Sequence, residues 1–171
     1  EVEYIVKRVQ EIFANDEKKE VPRTIGIISP FRKQADVFKR YALKKLNPEL
    51  LMRHDLLIGT PFEFQGEERD VVFISLAVDN DSASGSFAYL SRENMLNVAT
   101  SRAKEAQFVI HSFDKNRLSK GGLLARFFEF DHHRALEESE VRDLFAREVK
   151  TGLFESGIKS ITLDETISGT T

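Results

Sequence analysis

The sequence has 171 residues, of which 41% are hydrophobic and 31% are charged, and its formal net charge is −3. This length suits one domain with a sizeable core, and the acidic balance argues against a strongly basic nucleic-acid surface but not against a local one. Cysteine is absent, which excludes disulfide bonds and thiolate metal sites.

The sequence contains no run of about 18 apolar residues, so we expect neither a membrane span nor a membrane partner. It begins with the acidic Glu1 rather than with the basic region of a signal peptide. We therefore expect a cytoplasmic protein. Because no initiator methionine is present, we also expect the chain to be a piece of a longer protein.

The first 60 residues predict two helices and two strands. Residues 1–15 carry apolar side chains at helical spacing, and residues 24–29 form a β-branched run typical of a strand that is buried on both faces. Residues 32–46 predict a helix with a basic outer face. Residues 55–60 predict a second short strand that ends at a proline.

The next 50 residues continue this alternation. Residues 70–78 form the longest apolar run and predict a central strand, whereas residues 79–87 have the composition of a mobile loop. Residues 92–104 predict a helix and residues 107–111 a further strand. The pattern indicates an α/β fold, with a mostly parallel sheet and flanking helices.

The pattern changes after about residue 112. Residues 123–130 and 141–149 predict helices, and the pattern weakens beyond residue 152. We therefore predict one domain at residues 1–112, followed at residues 113–171 by a helical appendage or by the start of a connection to a further domain.

Several common sites are missing from the sequence. No Gly-x-x-x-x-Gly-Lys-Ser/Thr loop is present to cradle phosphates. Asp164 and Glu165 resemble a magnesium-binding acidic pair only superficially, since no apolar strand is predicted before them. His132 and His133 lack the spacing of metal ligands. We expect no metal site in this chain.

Three other segments place polar groups where chemistry could occur. In the first, the predicted strand ends at Ser29, and a proline, an aromatic residue and the start of a helix follow. This arrangement puts polar groups at the carboxyl edge of the sheet, where α/β folds bind ligands. Many α/β proteins have such an edge, so the segment alone is weak support for a site.

The second segment lies between two predicted strands. Phe64 is expected to anchor a turn in the core, while Gln65, Gly66 and Glu68 present polar groups beside a backbone that a ligand can approach closely. A solvated turn is the alternative, and composition alone favours it.

The third segment belongs to the predicted helix at residues 92–104. Asn97, Ser101 and Lys104 are spaced about one turn apart on one face, with Arg102 adjacent. The guanidinium fork of an arginine suits phosphate oxygens across an interface. Ion pairing on the surface is the alternative for an isolated arginine.

In this order and spacing, the three segments resemble motifs IV, V and VI of superfamily 1 helicases, in the branch of the nonsense-mediated-decay RNA helicase and the Dna2-type helicases. The chain reads S-P-F-R-K-Q, T-P-F-E-F-Q-G-E-E-R-D and L-N-V-A-T-S-R-A-K. The family reads roughly T-P-Y-x-x-Q, T-V-D-x-F-Q-G-x-E-x-D and L-N-V-A-x-T-R-A-K. The resemblance covers about residues 21–112. It implies a C-terminal RecA-like domain, a P-loop NTPase fold that here lacks its own Walker A loop.

The resemblance implies an ATP-side role for four residues. Arg102 matches the motif VI arginine finger, which contacts the γ-phosphate, and Gln65, Gly66 and Glu68 match the part of motif V that borders the nucleotide cleft. ATP and Mg²⁺ are then held mainly by the first RecA-like domain of the same polypeptide. The isolated chain is accordingly expected to be inactive as an ATP hydrolase.

The resemblance also implies contacts with single-stranded DNA or RNA. Ser29 and Thr60 match hydroxyl residues of motifs IV and V that hold nucleic-acid phosphates. Three departures stand nearby: Glu67 replaces a frequent arginine, and Phe62 and Glu63 replace a polar pair. The alternative function is a degenerate, non-catalytic helicase-like module that binds nucleic acid or protein.

Overall fold

A computed structural model of the chain describes residues 1–129, 133–136 and 160–164. The predicted helix at residues 141–149 lies outside this part of the chain. The strands are β1 Ile25–Ile28, β2 Leu57–Gly59, β3 Arg69–Asp79, β4 Ala103–Ser112, β5 His133–Leu136 and β6 Ser160–Asp164. The helices are α1 Val2–Asn15, α2 Arg32–Lys45, α3 Pro48–Arg53, α4 Ser84–Leu90, α5 Glu93–Thr100 and α6 Leu123–Glu129, with a 3₁₀ turn at Lys115–Arg117.

The strands form one sheet in the order β2-β1-β3-β4-β6-β5, and every neighbouring pair is parallel. The strand β3 lies between β1 and β4, so the longest apolar run of the sequence is a central strand, as predicted. Helices flank the sheet. The predicted α/β fold is confirmed, and its architecture is that of a RecA-like domain.

Two apolar cores lie on opposite faces of the sheet. Because β1 and most of β3 are buried on both faces, their apolar residues follow one another without a polar face. The core on the side of α1 and α2 includes Ile5, Val9, Ile12, Phe38, Ile27, Val71, Phe73 and Phe108. The core on the side of α4 and α5 includes Ile28, Phe64, Val72, Ile74, Leu90, Met95, Leu96 and Val109.

Two helices were not predicted from the sequence. Helix α3 begins with Asn47, whose side chain accepts a hydrogen bond from the Glu49 N–H at 2.9 Å, and with Pro48 in its first turn. Asparagine before proline is a helix-start signal that was present in the sequence. Helix α4 occupies part of the predicted loop at residues 79–87, because burial of Phe87 and Leu90 against the sheet outweighs the weak helix propensity of its glycine and serines.

The predicted helix at residues 92–104 is too long. Helix α5 ends at Thr100, and β4 begins at Ala103. The cause is sheet pairing: the Arg69 N–H donates to the Arg102 carbonyl oxygen at 3.0 Å, and Ala103 lies opposite Arg69 in the sheet. The Arg102 carbonyl oxygen is used in pairing with the central strand, so it is not available for the hydrogen bond of a further helical turn.

The sheet also extends beyond residue 112. The strand β6 pairs with β4, and β5 pairs with β6, although only helices were predicted in this part of the sequence. The expectation that no strand precedes Asp164 is therefore wrong. Helix α6 lies where a helix was predicted at residues 123–130. None of the helices in the described residues has the length and apolar character needed to cross a membrane.

A buried ion pair closes the loop between α1 and β1. The Asp16 carboxylate is fully buried and accepts hydrogen bonds from the Arg23 N–H at 3.0 Å and from Arg23 Nε at 2.8 Å. Lys19 adds an ion pair at 2.9 Å. Burial raises the pKa of Asp16, but the hydrogen bonds from Arg23 and Lys19 outweigh it and lower the pKa to about 2.

We predict that Asp16→Asn destabilises the fold by about 3 kcal/mol at pH 7, because it leaves the Arg23 guanidinium buried without its charge partner. A pKa lowered from 3.8 to about 2 means that the ionised carboxylate contributes stability above pH 4. About 2 kcal/mol of it should be lost as the pH falls towards 2. Urea unfolding from pH 7 to pH 2 measures both effects.

The exposed neighbour Glu17 supplies the control, since Glu17→Gln removes one carboxylate of the same loop outside the buried pair. Its unfolding free energy at pH 7 should stay close to that of the wild type. An Asp16→Asn variant with the same acid dependence as the wild type would contradict the role given to this ion pair.

Candidate nucleotide and nucleic-acid site

The predicted site residues lie in two groups at opposite edges of the sheet. Ser29 and Thr60 follow the neighbouring parallel strands β1 and β2, and the Ser29 N–H donates to the Gly59 carbonyl oxygen at 2.9 Å. Arg102 and Glu68 come directly before β4 and β3, at the amino edge. The sequence alone had grouped these residues only by motif.

The segment 60–68 connects the two edges across one face of the sheet. Phe64 lies at its middle and is completely buried, which confirms the predicted anchor. A Cβ atom on Gly26 of β1 would lie only 2.9 Å from Phe64 Cε1, so a glycine lets the ring rest directly on the strand. Gly66 has a φ of +85°, which favours glycine and turns the chain towards β3.

Arg102 is half-buried at the carboxyl end of α5. Its Nε donates to the Val98 carbonyl oxygen at 3.2 Å and to Ser101 Oγ at 3.1 Å, and its Nη2 donates to Ser101 Oγ at 2.7 Å. Within the described residues, no carboxylate lies within 4.0 Å of the guanidinium. Neutral acceptors thus hold the side chain in place while its charge stays uncompensated.

The predicted helical face of Asn97, Ser101 and Lys104 does not exist. Helix α5 ends at Thr100, Ser101 is its carboxyl cap, and Lys104 belongs to β4. The helix end nevertheless benefits Arg102, because the last carbonyls of a helix favour a nearby cation.

A cleft of about 260 Å³ lies between the motif V segment and α5. Gln65 lines one side, and Asn94, Met95 and Val98 of α5 line the other. Val98 is also the residue whose carbonyl oxygen accepts from Arg102. The cleft therefore brings Gln65 next to the helix that positions the arginine.

The acidic residues of the segment differ in their partners. Glu67 Oε2 lies 2.9 Å from Arg69 Nη1, and Arg69 Nη2 lies 3.1 Å from Asp55 Oδ2. The charge of Glu67 is therefore used in an ion pair within the fold. Glu68 is exposed, and among the described residues its carboxylate has no hydrogen bond or ion pair. Glu68 is thus the acidic side chain of this turn that remains open to a ligand.

At the carboxyl edge, Glu63 occupies both donors of Thr60. The Thr60 N–H donates to Glu63 Oε2 at 2.7 Å, and the Thr60 hydroxyl donates to the same oxygen at 3.0 Å. Lys39 Nζ donates to Glu63 Oε1 at 2.9 Å. The backbone hydrogen bond from Thr60, aided by Lys39, lowers the pKa of Glu63 to about 2 although burial opposes it. The Thr-x-x-Glu spacing of a capping box could have revealed this contact from the sequence.

The two predicted phosphate-binding hydroxyls lie below the surface. Ser29 is fully buried, and its Oγ has no hydrogen-bond partner within the described part of the chain. Thr60 is 8% exposed. Neither hydroxyl is presented openly in this conformation, so direct contact with a phosphate requires movement of the side chains that cover them.

The residues that the structure describes contain no cluster of three or more histidine, aspartate or glutamate side chains that could hold a metal ion. The side chains of His132, His133, Asp164 and Glu165 lie outside that description.

Comparison with known proteins places these motifs in a family. A family model described as an AAA domain matches residues 1–114. MOV-10 of Gallus gallus is 34% identical over 125 residues, which covers 64% of this chain and 12% of the relative. The DNA polymerase alpha-associated DNA helicase A of Saccharomyces cerevisiae is 35% identical over 107 residues, covering 62% of this chain and 15% of the relative.

Helicase sen1 of Schizosaccharomyces pombe is 32% identical over 114 residues, which covers 67% of this chain but 6% of that protein. The chain thus spans only a small part of the length of the relatives it matches. The matched residues include all three motif segments and the strands that position them. The chain therefore belongs to the AAA-domain family, as a C-terminal RecA-like domain of the superfamily 1 helicases.

Proposed function

We propose that this chain is the C-terminal motor domain of an ATP-dependent DNA or RNA helicase and that Arg102 is its arginine finger. One observation carries the assignment: neutral acceptors fix the guanidinium, and no carboxylate of the described residues neutralises it. A surface ion-pair residue would have an acidic partner. A finger must keep its charge for the phosphate of a neighbouring domain.

The chemistry of Arg102 follows from its placement. Charge develops on the transferred phosphoryl group in the transition state, and a prepositioned guanidinium stabilises it without further reorganisation. Such a finger contributes roughly 10³–10⁵ in rate in other phosphoryl-transfer enzymes. Gln65, in the cleft beside α5, and Glu68, at the amino edge with Arg102, would be suited to hydrogen bonds with the nucleotide.

The chain lacks a phosphate loop, so the first RecA-like domain would hold most of the ATP together with Mg²⁺. The metal would neutralise phosphate charge and orient the oxygens. The amino edge of the sheet, with Arg102 and Glu68, would face that domain. Hydrolysis would thus occur between two domains, each with an incomplete set of groups.

The carboxyl edge would contact the nucleic-acid strand. The N–H and hydroxyl of Thr60 are donors of the kind that bind a phosphate, and Lys39 and Arg32 stand beside them. Glu63 now takes these donors with its carboxylate. A strand phosphate would replace that carboxylate, and the same movement could open the path to Ser29.

A non-catalytic binding module is the second candidate. The covered hydroxyls of Ser29 and Thr60 and the acidic residue at Glu67 favour it, because they differ from an open, basic strand contact. The uncompensated Arg102 opposes it, since a scaffold needs no arginine that is held in place without a carboxylate partner. The two candidates differ in whether Arg102 affects ATP turnover.

The 171-residue chain on its own should hydrolyse ATP no faster than buffer, because it has no phosphate loop. A phosphate-release assay with and without single-stranded DNA or RNA measures this. Turnover above background by the pure chain would contradict the split active site.

In the protein that joins this chain to its ATP-binding domain, Arg102→Ala should lower turnover at least about a hundredfold and leave ATP affinity nearly unchanged. The lost charge acts mainly on the transition state. Arg102→Lys should restore little, since an ammonium group cannot reproduce the guanidinium fork. Single-turnover hydrolysis and nucleotide-binding titrations distinguish the two effects.

Arg40→Ala is the matched control, because Arg40 is an exposed arginine of α2 outside the three motif segments. It should leave turnover unchanged. Near-normal turnover in Arg102→Ala would instead show that Arg102 is a surface residue without a role in ATP hydrolysis. A large drop in its unfolding temperature would show a structural role.

Glu63→Gln should tighten single-strand binding by about two- to fivefold, the range of a partly exposed charge pair. The substitution removes a negative charge from beside Thr60, Lys39 and Arg32. Fluorescence anisotropy with a labelled oligonucleotide at low salt measures the affinity, which we expect to be micromolar or weaker for the wild-type chain. Glu67→Gln, which changes the net charge equally at the other edge, should have a smaller effect. Equal effects of the two variants would count against the site at Thr60.

A further inference from the structure

Arg69, the first residue of β3, has no role in the function proposed above, yet it is only 7% exposed. Burial of a guanidinium is costly unless its donors have partners. Its Nε donates to the Asp55 carbonyl oxygen at 3.0 Å, and its Nη1 donates to the Glu68 carbonyl oxygen at 2.8 Å and to Glu67 Oε2 at 2.9 Å. Its Nη2 lies 3.1 Å from Asp55 Oδ2. The side chain thus joins the loop before β2 to the turn before β3.

The contact with Asp55 stabilises an unusual backbone conformation. Asp55 has a φ of +42°, in the left-handed region that is costly for a residue with a Cβ atom. The Arg69 guanidinium binds both the carbonyl oxygen and the carboxylate of Asp55. The loop before β2 is therefore shaped to receive this arginine.

The backbone of Arg69 provides the connection to Arg102. Its N–H donates to the Arg102 carbonyl oxygen at 3.0 Å, and Arg69 lies opposite Ala103 in the sheet. The next pair, Val71 with Ala106, lies two residues further along β3 but three further along β4, so the register shifts between the two pairs. Such a shift disrupts the ladder locally. The backbone at Arg102 is thus separated from the continuous part of the ladder, and the side-chain contacts of Arg69 strengthen its attachment.

We propose that Arg69 is a positioning residue that sets the placement of Arg102 relative to Glu68 at the amino edge. This inference rests on the proposed function, in which both side chains act on the nucleotide. The Arg69 guanidinium fixes the turn that carries Glu68, and the Arg69 N–H fixes the segment that carries Arg102. Movement of Arg69 would therefore shift the two groups relative to each other.

The geometry of this contact requires an arginine. The planar guanidinium fork reaches the Asp55 and Glu68 carbonyl oxygens at the same time, whereas a lysine carries all its donors on one nitrogen. A misplacement of about 1 Å can lower a reaction rate roughly a hundredfold. A small shift of Arg102 would thus slow hydrolysis although the domain remains folded.

The experiment uses the protein that joins this chain to its ATP-binding domain. Arg69→Met removes the guanidinium and keeps an unbranched stem, and the carboxylates of Asp55 and Glu67, 67% and 51% exposed, remain open to water. Single-turnover hydrolysis should slow by about tenfold to a hundredfold. ATP affinity should change much less, because the first domain would hold most of the nucleotide. Arg69→Lys should restore little of the rate.

A double-mutant cycle with Arg102→Ala distinguishes positioning from a general effect on the fold. Arg69→Met should slow hydrolysis when Arg102 is present and should have little further effect when Arg102 is already alanine. A residue with a merely structural role would lower the rate by the same factor in both backgrounds.

Arg53→Met is the matched control. The Arg53 guanidinium also donates to backbone carbonyl oxygens of another segment, those of Asp16 at 3.3 Å, Glu17 at 3.0 Å and Lys19 at 2.7 Å. None of these residues belongs to a motif segment. Arg53→Met should leave the rate of hydrolysis unchanged, even if it lowers the unfolding temperature as much as Arg69→Met does.

A second variant tests the same contact if Arg69→Met does not fold. Asp55→Asn combined with Glu67→Gln removes both charge partners of Arg69 at exposed positions and leaves the arginine in place. It should slow hydrolysis about two- to fivefold, the range of partly exposed charge pairs, and again only when Arg102 is present. An unchanged rate in this variant would count against the positioning role.

The outcomes separate this inference from the proposed function. Full activity of Arg69→Met, equal slowing in both backgrounds of the cycle, or equal slowing by Arg53→Met overturns the positioning role and leaves the arginine finger intact. Normal turnover of Arg102→Ala on its own removes the proposed function, and the inference about Arg69 with it.

Discussion

The contact between Phe64 and Gly26 determines where both halves of the site lie. Only nine residues connect the end of β2 to the start of β3, and they must cross the sheet from its carboxyl edge to its amino edge. Phe64 fixes the middle of this crossing by resting on Gly26 of β1, where no side chain intervenes. Thr60 is therefore held at one edge and Glu68 at the other.

Sheet register then positions the arginine. The Arg69 N–H donates to the Arg102 carbonyl oxygen, so the end of the motif V segment and the start of β4 are joined directly. A shift of the crossing segment would pull on this hydrogen bond as well as on Thr60. On the proposed function, one short and well-anchored segment thus connects the strand-binding edge to the nucleotide edge. Packed segments with few stable arrangements are suited to such coupling.

The sequence predicted what local patterns control. The buried strands, helices α1 and α2 and the anchor at Phe64 follow from periodicity and apolar content. The end of α5 did not, because it depends on pairing with β3, which is remote in sequence. The burial of Ser29 and the proximity of Tyr89 to Phe62 could not be predicted either, because each depends on segments that are distant in sequence. By contrast, the contact of Glu63 with Thr60 is local, and the Thr-x-x-Glu spacing could have predicted it.

The net charge of the chain is a poor guide to its binding edge. At physiological ionic strength, charges separated by more than about 8 Å are largely screened, so a phosphate responds to its immediate neighbours rather than to the total of −3. Around Thr60 those neighbours are Lys39, Arg32 and the Glu63 carboxylate that they hold. Asp36 also lies 3.9 Å from Arg32, so displacing the Glu63 carboxylate would free Lys39 for the strand and leave Arg32 beside Asp36 alone. On the proposed function, an acidic domain of this kind would therefore bind a strand weakly and through this edge alone.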